Sequence, residues 1–410
     1  MPKFSRYVRI FLSIVAGVVL FSMAFQLGTQ ALEKRPTDEE SERLTIREAR
    51  KLASGEHSYG IVEYTHYPNG PQYVLALMMK AGVEEARQLR SAPLIFSALC
   101  VAQLGFCVCM TGASLMLSAL GVVGVAILLW QPGVVQWMGA LYGNSYSLAL
   151  CMAAVGVSLL PGGAGWAVFA LGFASGWMGY DFTFCFIGSV VVGRLLVVGL
   201  HSGQRAAIRS VCRAGAFASM GVLVAIASHL VQNALYFGSA KAAFNDLIGS
   251  AAARAGLPIA STLNPGYANY IRSAALAQGK GEDGAYLRWD VLTELWSSFI
   301  LPEWTVLPPA LNLFYGVLVV DAFLLLVGLV STKSWRFLKV PALVSALAIL
   351  ISVVSGVTWF LLMPQHARFH FHFIQRQFFV PALLVWLALW HMGNRLRNEI
   401  RGGKDQWSLF

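Results

Sequence analysis

The sequence predicts an all-α, polytopic membrane protein with about ten transmembrane helices and two large loops on the non-cytoplasmic side. Three observations carry this. Hydrophobic residues make up 57% of the chain and charged residues only 12%, about half the ~25% typical of a globular domain. The apolar residues gather in runs long enough to cross a hydrocarbon core of about 30 Å at 1.5 Å per residue. Between those runs the basic residues form short clusters, the arrangement that orients membrane helices. The clustering also accounts for the formal charge of +10 without nucleic acid as a partner. A mean hydropathy of +0.62 leaves lipid as the solvent for most of the chain.

The first run follows Lys3, Arg6 and Arg9 and extends from 8 to 27. A cleaved signal peptide has an apolar stretch of about 7–15 residues, so a retained signal-anchor helix is expected. Spans are expected at 8–29, 92–112, 114–131, 145–161, 165–181, 184–200, 214–238, 308–331, 340–363 and 375–393. Within 113–165 the divisions rest on Gln131-Pro132-Gly133 and Pro161-Gly162-Gly163. Ten spans place both termini on one face. Arg205, Arg209 and Arg213 share that face, as do Lys333, Arg336, Lys339, Arg395, Arg397, Arg401 and Lys404. The short loops of the other face carry only Arg368 and Arg376. The excess of Lys and Arg assigns both termini to the cytoplasm of a cell-membrane protein. Residues 1–393 then form one transmembrane domain and 394–410 a basic cytoplasmic tail.

The outer loops, about 30–91 and 239–307, exceed what connection alone requires, and loops of that length are usually functional. Their aromatic residues, among them Tyr59, Tyr64, Trp289 and Trp296, predict order, with short interfacial helices at 71–81 and 289–300. Five of the six cysteines lie in apolar runs and Cys212 lies beside a basic cluster. Neither outer loop holds one, so the sequence implies no disulfide framework.

The segment 59–73, Tyr-Gly-Ile-Val-Glu-Tyr-Thr-His-Tyr-Pro-Asn-Gly-Pro-Gln-Tyr, concentrates chemistry. Pro68 and Pro71 fix local φ and Gly70 permits a tight turn. Glu63 and His66 therefore sit in a constrained loop at the membrane surface. A carboxylate there can serve as general base for a hydroxyl. Tyrosines anchoring an amphipathic loop among headgroups are the alternative. Asp181 falls at the outer end of the fifth span, where an acid near hydrocarbon usually has a partner or a role. His229 and Asn233, at i and i+4, share one helix face and fit either substrate contact or a helix–helix hydrogen bond. Asn144 and Tyr146 lie at the second outer turn, within reach of sugar hydroxyls.

An acid in the first outer loop, then His66-Tyr67-Pro68-x-Gly70-Pro71 and a short helix, resembles the multi-span GT-C glycosyltransferases. Arg376-Gln-Phe-Phe-Val-Pro-Ala-Leu383 is similar to the Arg-Tyr-x-x-Pro-x-Leu pattern that opens a late span in that family. The resemblance implies a donor sugar on polyprenyl phosphate, a catalytic acid at Glu63, and Arg376 on the donor phosphate. Gln131 to Tyr146 lacks the acid that metal-dependent members carry. The sequence therefore assigns no cofactor, and a divalent cation stays open. His366, His370 and His372 in His-Ala-Arg-Phe-His-Phe-His offer metal ligands. Arg368 and Arg376 are better read as phosphate clamps, since guanidinium donates in pairs to phosphate oxygens.

The leading reading is a membrane glycosyltransferase with catalytic Glu63 and Asp181. His66, Tyr67, Asn144, Tyr146, His229, Asn233, Arg368 and Arg376 are its substrate contacts. The acceptor is a glycan, lipid or protein hydroxyl. A polymerase or ligase using a polyprenyl-diphosphate glycan, or a flippase for lipid-linked sugar, are the alternatives. A transporter expects ionisable residues at mid-bilayer, whereas here they gather at the outer face.

The topology is testable directly. Cysteines introduced near Thr65 and Arg272 should react with impermeant thiol reagents added to intact cells, and one near Gly203 should not. Outside labelling at 203 would overturn the orientation.

Overall fold

The computed structural model describes residues 3–33, 40–56, 68–112, 114–129, 138–160, 165–198, 204–277, 339–365 and 371–400. Among them every regular element is a helix. In chain order these are α1 (Lys3–Glu33), α2 (Glu40–Ala53), α3 (Gly70–Lys80), α4 (Ala86–Leu89), α5 (Ser91–Thr111), α6 (Leu115–Leu129), α7 (Gly143–Leu159) and α8 (Gly165–Met178). They continue as α9 (Thr183–Val198), α10 (Gln204–Phe237), α11 (Ala240–Ala255), α12 (Ala260–Leu263), α13 (Pro265–Ala277), α14 (Lys339–Leu362) and α15 (Phe371–Ile400). Lipid offers no hydrogen bonds, so an apolar crossing segment must satisfy its own backbone, which a helix does.

Four helical segments are long and apolar enough to cross a membrane: Arg6–Glu33, Ala86–Thr111, Arg205–Phe237 and Leu343–Leu362. Leu115–Leu129, Gly143–Leu159, Gly165–Met178, Thr183–Val198 and Phe379–Asn394 are shorter apolar helices. Each coincides with an expected span, and the expected span 308–331 lies outside the described residues. The helix expected at 71–81 forms as α3, while 289–300 also lies outside. Two boundaries differ most from expectation. Helix α10 begins ten residues before 214, because Arg205, Arg209 and Arg213 continue it as solvated turns. Helix α15 runs past 393 to Ile400, with Pro381 inside it, so the basic tail begins as helix.

Burial orders the bundle. Helix α7 is buried along nearly its whole length, from Asn144 to Leu159, and packs against α5, α8 and α9. The outer helices instead expose apolar side chains, among them Phe11 on α1, Leu223 and Leu235 on α10 and Leu350 on α14. An exposed apolar face of this extent calls for lipid rather than water. Small residues bring the helices close. A Cβ at Gly172 of α8 would sit 2.6 Å from the Ala218 carbonyl of α10, and one at Gly176 would sit 2.8 Å from Ala225 Cβ. Gly221 of α10 meets the Phe169 carbonyl in return. Close backbone approach of this kind is how helices gain packing energy where lipid removes the hydrophobic drive.

The two ends of the bundle differ. At one, arginines cap helix ends: Arg9 Nη1 donates to Met110 O at 3.3 Å, and Arg194 Nη1 to Leu160 O at 3.1 Å. The other bears α2, α3 and α11–α13. There α2 and α3 close a satellite core of Ala49, Leu75, Met79, Leu89 and Leu141. Its brace is ionic. Arg90 Nε donates to Glu42 Oε2 at 2.9 Å and Arg90 Nη2 bonds the same oxygen. Glu42 Oε1 accepts the Leu141 amide at 3.2 Å, and both charged side chains are 2% exposed. The carboxylate thus ties α2 to the start of α5 and to the turn entering α7.

Removing one partner of a buried pair strands the other charge, at a cost of about 3–5 kcal/mol, whereas apolar replacement of both is close to neutral. Glu42→Ala or Arg90→Ala should therefore destabilise the detergent-solubilised protein strongly, and Glu42→Met with Arg90→Met far less. Equal losses from single and double variants in denaturant unfolding would show that the pair is not the brace.

Candidate functional site

The corner between α8 and α9, residues 177–182, gathers the polar side chains of the loop-bearing end. Two glycines admit their backbones to it. A Cβ at Gly70, which opens α3, would meet the Trp177 carbonyl and lie 3.0 Å from Met178 Sδ. A Cβ at Gly143, which opens α7, would meet the Met178 carbonyl. The Gly70-Pro71 start of α3 and the Asn144 end of α7 therefore share one floor.

Tyr180 and Asp181 follow on that floor. Tyr180 OH and His229 Nδ1 are hydrogen-bonded at 2.5 Å, and Asp181 is buried at 6% exposure. His229 and Asn233 stand one turn apart on α10, each 1% exposed. Between them in the chain, Gln232 Nε2 donates to Tyr73 OH of α3 at 3.2 Å.

The rest comes from the second long loop, whose described part folds as α11–α13 around Ala252, Ala253, Ala260, Tyr267 and Ile271. Ser239 caps α11 by accepting from the Ala242 amide, and Gly256 ends it at φ +73°, a conformation that favours glycine. Asn264 then starts α13. Its Oδ1 accepts the Tyr267 amide at 3.2 Å, with Pro265 at the first helical position, which is N-capping chemistry. Its Nδ2 donates to Asp246 Oδ1 at 2.8 Å and Ser250 Oγ at 3.1 Å. So held, Tyr267 accepts a hydrogen bond from Arg254 Nε at 3.0 Å, and the guanidinium lies over its ring at 5.6 Å. Arg254 is only 4% exposed.

Charge joins this hairpin to the corner. Burial raises the Tyr267 phenol, the Arg254 guanidinium opposes the rise, and the Asp181 carboxylate adds to it. Burial likewise raises Tyr180, again against Arg254. Asp181, Tyr180, Arg254 and Tyr267 thus lie within one another's fields, which fall steeply with distance. Gln365, just past α14, packs on the end of α11, its Cγ 2.8 Å from where a Cβ at Gly256 would stand.

Of the residues singled out in the sequence, His229 bonds Tyr180, the neighbour of Asp181, and Asn233 lies one turn further along α10. Asn144 starts the helix seated on the same corner. Tyr146 departs from that group: two positions along a helix point about 200° apart, and its ring packs 5.5 Å from Phe96 of α5. Glu63, His66, Tyr67 and Arg368 lie outside the described residues. Arg376 falls on the second turn of α15, its side chain outside the described part. No three His, Cys, Asp or Glu side chains among the described residues gather to hold a metal ion. His366 and His370 lie outside those residues.

Sequence reasoning missed Tyr180, Arg254 and Tyr267 as site residues. The signal was present in Asn264-Pro265, a helix-start pair, eight residues after the glycine that ends α11.

No family model, curated protein or solved structure matches this chain.

The raised phenols set a pH dependence. A phenol whose folded pKa exceeds its unfolded value of about 10 contributes stability that is complete below pH ~10 and lost as pH rises above it. Thermal unfolding across alkaline pH should fall less steeply for Tyr267→Phe than for wild type. Identical slopes would mean that Tyr267 is not buried in solution.

Proposed function

We propose that the chain is a ten-span cell-membrane glycosyltransferase with cytoplasmic termini, moving a sugar from a polyprenyl-phosphate donor to an acceptor hydroxyl at the outer face. The observation that supports it is the buried Asp181–Tyr180–His229 corner, enclosed by Arg254 and Tyr267, at one end of an otherwise apolar bundle. The segment bearing Glu63, His66 and Tyr67 runs directly into Pro68 and Gly70, and Gly70 rests on that corner. A site at the end of a bundle suits a donor whose chain stays in lipid while its phosphate and sugar meet water.

In the reaction the acceptor oxygen attacks the anomeric carbon and a new C–O bond forms. The bond from that carbon to the phosphate oxygen breaks, and polyprenyl phosphate leaves with the electron pair. The acceptor proton passes to a carboxylate, Glu63 in this reading, with Asp181 orienting the hydroxyl. Arg368 and Arg376 hold the phosphate as its charge develops, an electrostatic role that strengthens in a dry site. His66, Tyr67, Asn144, His229 and Asn233 contact sugar or acceptor hydroxyls, and a divalent cation is not required by this scheme. Charged side chains on the described spans lie towards the two ends, which suits surface chemistry better than a mid-bilayer transport path.

The decisive experiment supplies purified protein with radiolabelled polyprenyl-phosphate sugar and a panel of hydroxyl acceptors. Transfer with release of polyprenyl phosphate is expected. Translocation of the intact lipid-linked sugar in proteoliposomes, without release, would replace the enzyme by a flippase. Glu63→Gln should lower turnover by roughly 10²–10⁴, the usual contribution of a positioned base, with donor binding retained. Near-normal turnover in Glu63→Gln alongside an inactive Asp181→Asn would exchange their roles.

A further inference from the structure

Helix α10 carries one exposed stripe along most of its length. At about 100° per residue, Arg205, Arg209, Arg213, Met220, Leu223 and Val231 fall within an arc of about 80°, and all six are exposed. The stripe changes character once: its first three members are cations and the rest are apolar. The apolar part runs from Ala216 to Leu235, both exposed, and rises about 28 Å, close to the ~30 Å of a hydrocarbon core. Ala216 therefore lies where hydrocarbon ends.

Past that border comes a headgroup layer roughly 5–8 Å deep, and then water. Along the helix axis Arg213 stands about 4.5 Å beyond Ala216, inside the layer; Arg209 stands about 10 Å beyond, at its outer edge; Arg205, about 16 Å beyond, is in water. Arg213 is also positioned by its neighbours. Its guanidinium lies over the Phe217 ring at 5.7 Å, and the Trp166 indole meets the same ring edge-on at 5.6 Å. Gly165 admits that ring, since a Cβ there would touch it at 3.0 Å. Trp166 is 72% exposed, the setting of an indole among headgroups rather than in a core. Between Glu85 and Asp246 the one acid is Asp181, in the corner at the far end of the bundle, so helices α5 to α10 bring no carboxylate to these arginines.

We propose that Arg209 and Arg213 form a binding site for the phosphate of an anionic phospholipid, with Phe217 as the positioning residue of Arg213 and an acyl chain lying along Met220 and Leu223. Guanidinium donates in pairs to phosphate oxygens, and the two arginines are one helical turn apart. A zwitterionic headgroup brings a cation of its own, which this acid-free surface repels. An anionic one matches it in charge, and the stripe supplies apolar contact for its chain. The site is sixteen residues before His229 on the same helix, about 24 Å along the axis, and owes nothing to sugar chemistry at the other end. Its effect there is mechanical: a lipid held on Arg209 and Arg213 keeps α10 at one depth, and α10 carries His229 and Asn233.

The test uses the purified full chain in detergent. Cys212 is exposed and the other five cysteines are buried, so an environment-sensitive fluorophore can be placed beside Arg213. Titration with phosphatidylglycerol in mixed micelles should give a saturable signal, and phosphatidylcholine should not. Without any label, phosphatidylglycerol should raise the thermal unfolding midpoint, as a ligand of the folded state must. Arg209→Gln and Arg213→Gln should each weaken the lipid about five-fold, the contribution of one arginine at a lipid surface. Arg205→Gln, equal in charge and exposure but further out, should change it less than two-fold. Phe217→Leu should weaken binding in the wild-type background and add nothing in Arg213→Gln, because it acts through the same group.

Equal losses at Arg205, Arg209 and Arg213 would mean a diffuse surface potential and no site, which overturns the proposal. So would an equal response to phosphatidylcholine, since the headgroup charge would then play no part. Displacement of the lipid by glycerol phosphate at comparable concentration would make this a site for free phosphate and remove the lipid from it.

Discussion

At the corner after α8, the chain carries two other segments on its own carbonyls. Gly70 rests on Trp177 and Gly143 on Met178, at separations that any side chain would prevent. Because those contacts are backbone to backbone, the start of α3, the start of α7 and the Tyr180–Asp181 pair cannot shift independently. The Glu42 carboxylate reinforces the same geometry from behind, since its second oxygen holds the Leu141 amide just before α7. Polar groups at a membrane protein's end are otherwise free to drift with their loops. Here they are referred to a rigid floor.

Much of the architecture was legible in the sequence because apolar runs and basic clusters report directly on lipid and on charge. The spans at 92–112, 145–161 and 184–200 reappear as α5, α7 and α9 within two residues at each end. Asp181 was legible for the same reason: an acid at the end of an apolar run is conspicuous. Helices α11–α13 were hidden by composition. Ala240–Ala255 is rich in alanine and small residues, so it has neither the hydropathy of a span nor the polar pattern of a loop. Arg254 and Tyr267 are thirteen residues apart, and no local spacing rule pairs them. Only the turn through Gly256 and the cap at Asn264 brings them face to face.

The loop-bearing end also holds one kind of side chain in two settings. Arginine in the brace is neutralised by its carboxylate and becomes a rivet. Arginine in the hairpin is oriented by a phenol, over whose ring its guanidinium also lies. Burial is nearly the same for both. Burial alone therefore says little about role, and the identity of the acceptor says a good deal.

The interlock of Gly172 and Gly176 with Ala218, Gly221 and Ala225 has a consequence for biogenesis. Its partners are α8 and α10, yet α9 separates them in the chain. During synthesis α8 enters the bilayer as a fourteen-residue helix, about 21 Å long and short of the hydrocarbon thickness. It must wait there until two more helices have left the ribosome before its glycine face is covered. In that half-built state the glycine face stays uncovered, so exposure of unfinished packing surface depends on how soon α10 follows.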